Sequence, residues 1–160
     1  MNKVLFVGRF QPFHKGHLHA IKKLLERFDE VVVVIGSAEK SNTRENPFSF
    51  EERKRMIQNE LGERCRIIGV PDVENDEEWV GLIRKKVEFD AVVSGNAWTR
   101  SCFTRAGYRV IEPDYLDPKK YDGSLIREKI FKNDDEWKEL VPKGTLKVLE
   151  TINVKKRLKE

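Results

Sequence analysis

Cysteine, histidine and long apolar runs are all scarce in this chain, and each scarcity excludes a class of protein. The two cysteines, Cys65 and Cys102, lie far apart, share no C-x-x-C spacing and fall in or beside apolar stretches. They exclude a disulfide framework and a cysteine-rich metal knuckle, and are expected to be reduced thiols. The longest apolar run, Val31–Ile35, has five residues, against the roughly 20 that a membrane helix needs. The first residues pass directly into Val4–Val7 without the apolar stretch of an export signal, so a cytoplasmic location and no membrane partner are expected.

Charge of neither sign dominates. Lysine and arginine total 31 against 27 acidic residues, a formal net charge of +4, and the excess is spread along the chain rather than gathered in blocks. That balance suits a small anionic ligand at least as well as nucleic acid. The basic end Lys155-Lys156-Arg157 reads as a solvated helix terminus, and no nucleic-acid partner is expected. With 160 residues and no repeat, low-complexity tract or linker, the chain is expected to form one domain, 1–160, burying roughly 70% of its unfolded surface.

What is present is alternation. Short β-branched runs at Lys3–Gly8, Val31–Gly36, Cys65–Val70, Ala91–Ser94 and Tyr108–Glu112 are separated by stretches of helical period at Gly16–Phe28, Phe50–Leu61 and Asp76–Val87, and by a short helix after Ser94. The pattern predicts an α/β protein, a parallel sheet of about five strands with helices on both faces and C-terminal helices, the last running to about Lys159. Ser49-Phe50-Glu51-Glu52 forms a capping box. Ligands of such sheets sit at the carboxyl ends of the strands.

One loop at such an end carries chemistry: Gly8-Arg9-Phe10-Gln11-Pro12-Phe13-His14-Lys15-Gly16-His17. Gly8 allows a sharp turn at the strand end, and Gly16 removes a side chain where a phosphate would approach the backbone. A helix opening near Gly16 aims unpaired amides and its positive dipole end at that phosphate. His14 and His17, three apart, share a helix face. Two imidazoles and an arginine around a phosphate suit nucleotidyl transfer, where catalysis is mostly positioning and charge stabilisation. A zinc site is disfavoured because His17 and His19, two apart, point away from each other on a helix. A second segment, Tyr121-Asp122-Gly123-Ser124-Leu125-Ile126-Arg127, reads as glycine, a capping serine and an arginine in the first turn. Arginine opposes the dipole there, so a bound anion is its reason. An indole such as Trp79 beside a polar loop can stack on a flat heterocycle.

The string Gly8–His17 resembles the H-x-G-H motif of the nucleotidyltransferase superfamily, and its full length is similar to the opening of archaeal-type nicotinamide mononucleotide (NMN) adenylyltransferases. Gly36-Ser37-Ala38, Asn46-Pro47-Phe48, Glu52-Arg53, Trp79-Val80, Ser94-Gly95-Asn96, Gly123–Arg127 and Leu140-Val141-Pro142 match in order, so the likeness covers nearly the whole chain. It implies a Rossmann-like nucleotidyltransferase fold and the reaction of ATP with NMN to give NAD and pyrophosphate. His14, His17, Arg9 and Arg127 would be catalytic. Gly8, Arg9, Phe10, Gln11, Gly16, Ser94, Gly95, Asn96, Gly123, Ser124 and Arg127 would bind ATP. Gly36, Ser37, Val73, Asp76 and Trp79 would bind NMN, with Trp79 stacking on the nicotinamide. Mg²⁺ would arrive largely on ATP, with no metal ligand from the protein, and a homo-oligomer, up to a hexamer, is implied.

Several positions depart from the family pattern. Asp76 stands where asparagine is usual and would favour nicotinamide over nicotinic acid mononucleotide, because a carboxylate repels a carboxylate. Asn42 replaces a frequent histidine and Asp122 a frequent serine. Ala97-Trp98-Thr99 replaces Pro-Leu-Val, which would alter the adenine side. The rival readings are the same chemistry on phosphopantetheine or flavin mononucleotide, cytidylyl transfer to an alcohol phosphate, a nucleotide-binding regulator without turnover, and an RNA-binding module.

Overall fold

The computed structural model describes residues 2–159. Five strands, β1 (Lys3–Gly8), β2 (Glu30–Ile35), β3 (Arg66–Gly69), β4 (Ala91–Val93) and β5 (Arg109–Ile111), form one parallel sheet in the order β3-β2-β1-β4-β5. The chain order reverses direction between β1 and β4, which opens a crevice at the carboxyl ends of these two strands. Helices α1 (Lys15–Arg27), α2 (Phe50–Leu61), α3 (Asp76–Lys86), α4 (Ala97–Arg105), α5 (Gly123–Phe131), α6 (Lys143–Leu149) and α7 (Val154–Arg157) complete the fold.

Alternation along the central strands sorts their side chains into two cores. Val4 and Phe6 of β1 with Val31, Val33 and Ile35 of β2 pack under α1, α2, α5 and α6. Leu5, Val7, Val32 and Val34 point the other way, under α3 and α4. Both faces are covered, which is why these strands read as unbroken apolar runs rather than alternating ones.

The predicted last helix is instead two pieces, α6 and the single turn α7. Thr151 and Ile152 are β-branched and poor at continuing a helix. Asn153 then restarts one, its side-chain oxygen accepting from the amide of Lys156. The predicted capping box of α2 is present, with Ser49 and Glu52 exchanging bonds between side chain and backbone. Glu52 also holds Arg157 in a bidentate pair at 2.7 and 3.0 Å, which docks the C-terminal turn on the start of α2.

Candidate active site

The loop between β1 and α1 is shaped by packing before any ligand is considered. Phe10 adopts a positive φ of 55° and folds its ring back over Gly8, 3.1 Å from where a β-carbon would stand, so a side chain at Gly8 would push against the ring. Gln11 is buried, and its side-chain amide forms both bonds of a clamp with Phe48: Nε2 donates to the Phe48 carbonyl at 3.0 Å and Oε1 accepts from the Phe48 amide at 2.9 Å. Behind the loop, Thr145 Oγ1 donates to the Phe13 carbonyl at 2.7 Å. The side chains of Phe10 and Gln11 are therefore committed to the protein, a function that an isolated motif does not reveal.

His14 is the N-cap of α1 and His17 its third residue, and the two imidazoles form a capping box of unusual composition. His14 Nδ1 accepts from the amides of Gly16 (3.0 Å) and His17 (3.3 Å), while His17 Nδ1 accepts from the amide of His14 (3.1 Å). A backbone N–H can only donate, so both Nδ1 atoms must be unprotonated and both rings carry their proton on Nε2. The rings stack 3.5 Å apart at 22°. Gly16 permits this stacking, because a β-carbon there would lie 2.8 Å from His14 Cε1 and 3.0 Å from Tyr121 Cβ. The helix cap thus fixes two neutral imidazoles as N–H donors side by side.

Burial lowers the pKa of His14 to about 4, against a smaller opposing pull from Asp122. Burial, and then the neighbouring His14, hold His17 well below its usual value. Both rings are neutral at pH 7. Because the folded-state values are depressed, the unfolded chain binds more protons below its histidine pKa of about 6.5. The stabilisation is complete above that pH and is lost as pH falls toward 4. For His14 alone the loss approaches about 3 kcal/mol. Denaturant titrations at pH 7.5 and pH 4.5 should show it, and His14→Asn, which keeps a capping oxygen, should flatten this acid limb; equal acid sensitivity in the variant would contradict the assignment.

The crevice is completed by the start of α5. Its cap is Asp122 and not the expected Ser124: Asp122 Oδ1 accepts from the amides of Ser124 (2.7 Å) and Leu125 (3.2 Å). Ser124 Oγ instead accepts from Arg127 Nη2 at 3.2 Å, and Arg127 Nη1 donates to the Gln11 carbonyl at 2.7 Å. Gly123 makes room for that reach, since a β-carbon there would stand 3.1 Å from Arg127 Nη1. Arg127 is pushed below its usual pKa by burial and by the charge of Arg9. Two cations held together in this way favour an anion between them.

A cavity of about 330 Å³ collects these groups: His14, Gly16 and His17 on one side, Ser94, Gly95 and Asn96 at the end of β4, and Asp122 and Gly123 of α5. Asn96 caps α4 through its side-chain oxygen, and the Ser94 hydroxyl accepts from the Asn96 amide at 3.1 Å. The remaining wall is the segment between β5 and α5, including Pro113 and Tyr115, which sequence reasoning missed, and Tyr121, which stands at the head of the α5 motif. The segment's position at the carboxyl end of β5, with two prolines and no regular element, is the signal that could have found it. His19 lies outside the cavity lining, with Nε2 bonded to Asp114 of this segment at 2.9 Å.

The expected NMN-binding residues lie apart from that cavity, at the carboxyl ends of β2 and β3. Gly36 donates its amide to the Gly8 carbonyl at 2.8 Å. Ser37, at a positive φ of 48°, donates from Oγ to Asp72 at 2.9 Å, and Asp72 also pairs with Lys40 at 2.9 Å. Val73 is partly buried in the second core, and Trp79 is only 3% exposed within it. The carboxylate of Asp76 is taken by Arg105 at 2.7 Å, which offsets the repulsion a lone carboxylate would exert on an acidic substrate. Trp98 lies against Trp79, and Ala97, Trp98 and Thr99 are outside the cavity lining, which ends at Asn96 on this segment.

Beneath both regions lies Arg53, a fully buried side chain that sequence reasoning noted only as a motif match. Its guanidinium donates to the carbonyls of Arg9, Gly36, Ser37, Lys40 and Ser49 at 2.9 to 3.4 Å. It ties the loop after β1 to the loop after β2.

Comparison with known proteins agrees with this geometry. A family model described as cytidylyltransferase-like matches residues 5–151. A curated nicotinamide-nucleotide adenylyltransferase of Ignicoccus hospitalis is 39% identical over 165 residues, covering 99% of this chain and 96% of that protein. Another, of Methanococcus aeolicus, is 38% identical over 161 residues, covering 98% and 93%. The crystal structure of a bifunctional NMN adenylyltransferase/ADP ribose pyrophosphatase from Francisella tularensis, complexed with AMP and a manganese ion, superposes with a TM-score of 0.75 at 25% identity. It covers 98% of this chain, which spans about half, 51%, of that longer one. This chain belongs to the cytidylyltransferase-like family of nucleotidyltransferases.

Proposed function

We propose that the protein is a nicotinamide-nucleotide adenylyltransferase that joins ATP and NMN to give NAD and pyrophosphate. The observation that carries this reading is the pair of neutral imidazoles, His14 and His17, whose Nε2–H donors are fixed by the helix cap beside the cavity. The likeness of nearly the whole chain to curated proteins of that activity supports the choice of acceptor. In the reaction an oxygen of the NMN 5′-phosphate attacks the α-phosphorus of ATP. The bond from that phosphorus to the β-bridging oxygen breaks, and pyrophosphate leaves with the electron pair. His14 and His17 donate to phosphate oxygens as charge builds on them. Arg9 and Arg127 hold the leaving pyrophosphate, and the end of β4 receives the adenosine.

The donors lining the cavity are the imidazoles of His14 and His17 and backbone N–H groups, which suit phosphate oxygens, while its two carboxylates, Asp114 and Asp122, are bonded to His19 and to the first amides of α5. Asp122 is already engaged as a cap. Mg²⁺ would be carried by the triphosphate rather than by side chains of the protein, and would supply charge neutralisation of the phosphate oxygens. A single domain acting as a cytoplasmic homo-oligomer, up to a hexamer, completes the proposal; no described helix is long and apolar enough to cross a membrane.

The test is pyrophosphate release from ATP and Mg²⁺ with NMN, run beside nicotinic acid mononucleotide, phosphopantetheine and flavin mononucleotide. NMN is expected to support the fastest release. The nicotinic acid form should follow, because Asp76 repels its carboxylate while Arg105 moderates the repulsion. Release with phosphopantetheine or flavin mononucleotide alone would overturn the acceptor, and release with none would leave a nucleotide-binding regulator.

A further inference from the structure

We propose that His19 is a positioning residue for ATP, acting through Asp114 to hold the wall of the nucleotide cavity between β5 and α5; this rests on the function proposed above. Pro113, Asp114, Tyr115, Leu116 and Pro118 of that segment all line the cavity, and none belongs to a helix or strand. Asp117, at a positive φ of 28°, closes a turn in which its carbonyl accepts from the amides of Lys120 and Tyr121. Apart from that turn, the bond between His19 and Asp114 is, among the described residues, the one hydrogen bond that residues 113–118 make. Most of one cavity wall therefore hangs on a single polar tether.

His19 lies on α1 two residues beyond His17, so it faces away from the imidazole pair. Its Nε2 stands 2.9 Å from Asp114 Oδ1, and because a carboxylate only accepts, Nε2–H is the donor. The imidazole is 30% exposed and the carboxylate 56%, a setting in which such a pair adds little to global stability. Its effect is local instead. Proline fixes φ at 113 and 118, so few free torsions separate the tether from the wall it holds. Beside Asp114, the Tyr115 ring reaches the end of β4, with Cε1 3.7 Å from where a β-carbon of Gly95 would stand. The segment thus bridges α1 and β4 on the side that receives the adenosine, away from the acceptor residues at the ends of β2 and β3. The third histidine of the chain thereby gains a role that the H-x-G-H motif does not contain.

A double-mutant cycle decides the matter, with ATP affinity measured by calorimetry in the presence of Mg²⁺ and as KM during turnover for His19→Ala, Asp114→Ala and the two combined. His19→Ala should raise Kd and KM for ATP about fivefold, the scale of one lost hydrogen bond, with kcat and the KM for NMN within about twofold and the melting temperature unchanged. The double variant should bind ATP no more weakly than the weaker single one. His19→Gln, whose side-chain amide can donate from the place of Nε2–H, should recover most of the loss. Unchanged ATP affinity in His19→Ala would overturn the proposal, as would equal weakening of ATP and NMN, or a double variant in which the two losses multiply. If the wild type binds ATP but forms no NAD, the proposed function falls while the binding cycle still decides the role of His19; if it binds no ATP, both fall.

Discussion

Replacing His17 with glutamine is expected to lower turnover about 100- to 1,000-fold, the usual effect of removing one preorganised donor from a developing oxyanion. Glutamine is chosen because the third residue of a helix commonly returns a side-chain oxygen to the cap amide, so it can take over the bond that His17 Nδ1 now accepts from the amide of His14. The variant keeps the helix start and loses the Nε2–H donor. His14→Asn applies the same logic one turn earlier, since asparagine is a favourable N-cap. Steady-state rates and melting temperatures measured together separate the two roles. Turnover within about threefold of wild type in a folded His17→Gln would remove this residue from the chemistry, whereas loss of folding would show that the imidazole is needed for more than its capping bond.

Arg53→Leu is expected to destabilise the protein by about 4 kcal/mol or more. The substitution removes every donor from a buried site and strands the carbonyls of Arg9, Gly36 and Lys40, while the Ser37 carbonyl keeps only its bond from the Lys40 amide. Each buried acceptor left unpaired costs about 1–3 kcal/mol. Burial and the charge of Arg9 lower the pKa of Arg53 to about 10, yet it remains charged at neutral pH. Arg53→Lys should fall between wild type and leucine, because one ammonium cannot reproduce the planar fork that spans both loops. Urea titrations give the difference directly; a loss below about 1 kcal/mol in Arg53→Leu would mean that the loops hold without it.

The fold was legible because its strands are apolar on both faces and its helices carry local stop and start signals. Strands at Lys3–Gly8 and Ala91–Val93 and helices at Phe50–Leu61 and Asp76–Lys86 lie within a residue or so of where their periodicity puts them. The last helix was overextended because one turn of chain at Glu150–Asn153 breaks it, and a single asparagine cap is a weak signal inside a charged stretch. The site was legible only where a motif fixes local geometry. His14 and His17 are brought together by three-residue spacing, which any helix start enforces. Arg127 reaches the first loop across 116 residues of chain, and no periodicity encodes that bond. The commitment of Gln11 to Phe48, the neutrality of the imidazoles and the covering of Trp79 by Trp98 all depend on tertiary packing. Residue types alone could not have supplied them.

The central claim, that an acceptor phosphate attacks the α-phosphorus of ATP in the His14–His17 cleft, is tested most directly by isotope. NMN carrying ¹⁸O in its terminal phosphate oxygens would be incubated with ATP, Mg²⁺ and enzyme, and NAD and pyrophosphate analysed by mass spectrometry. The expected result is NAD that retains all of the label, with unlabelled pyrophosphate in equal amount. Label in the pyrophosphate, or its release without NAD, would contradict the claim.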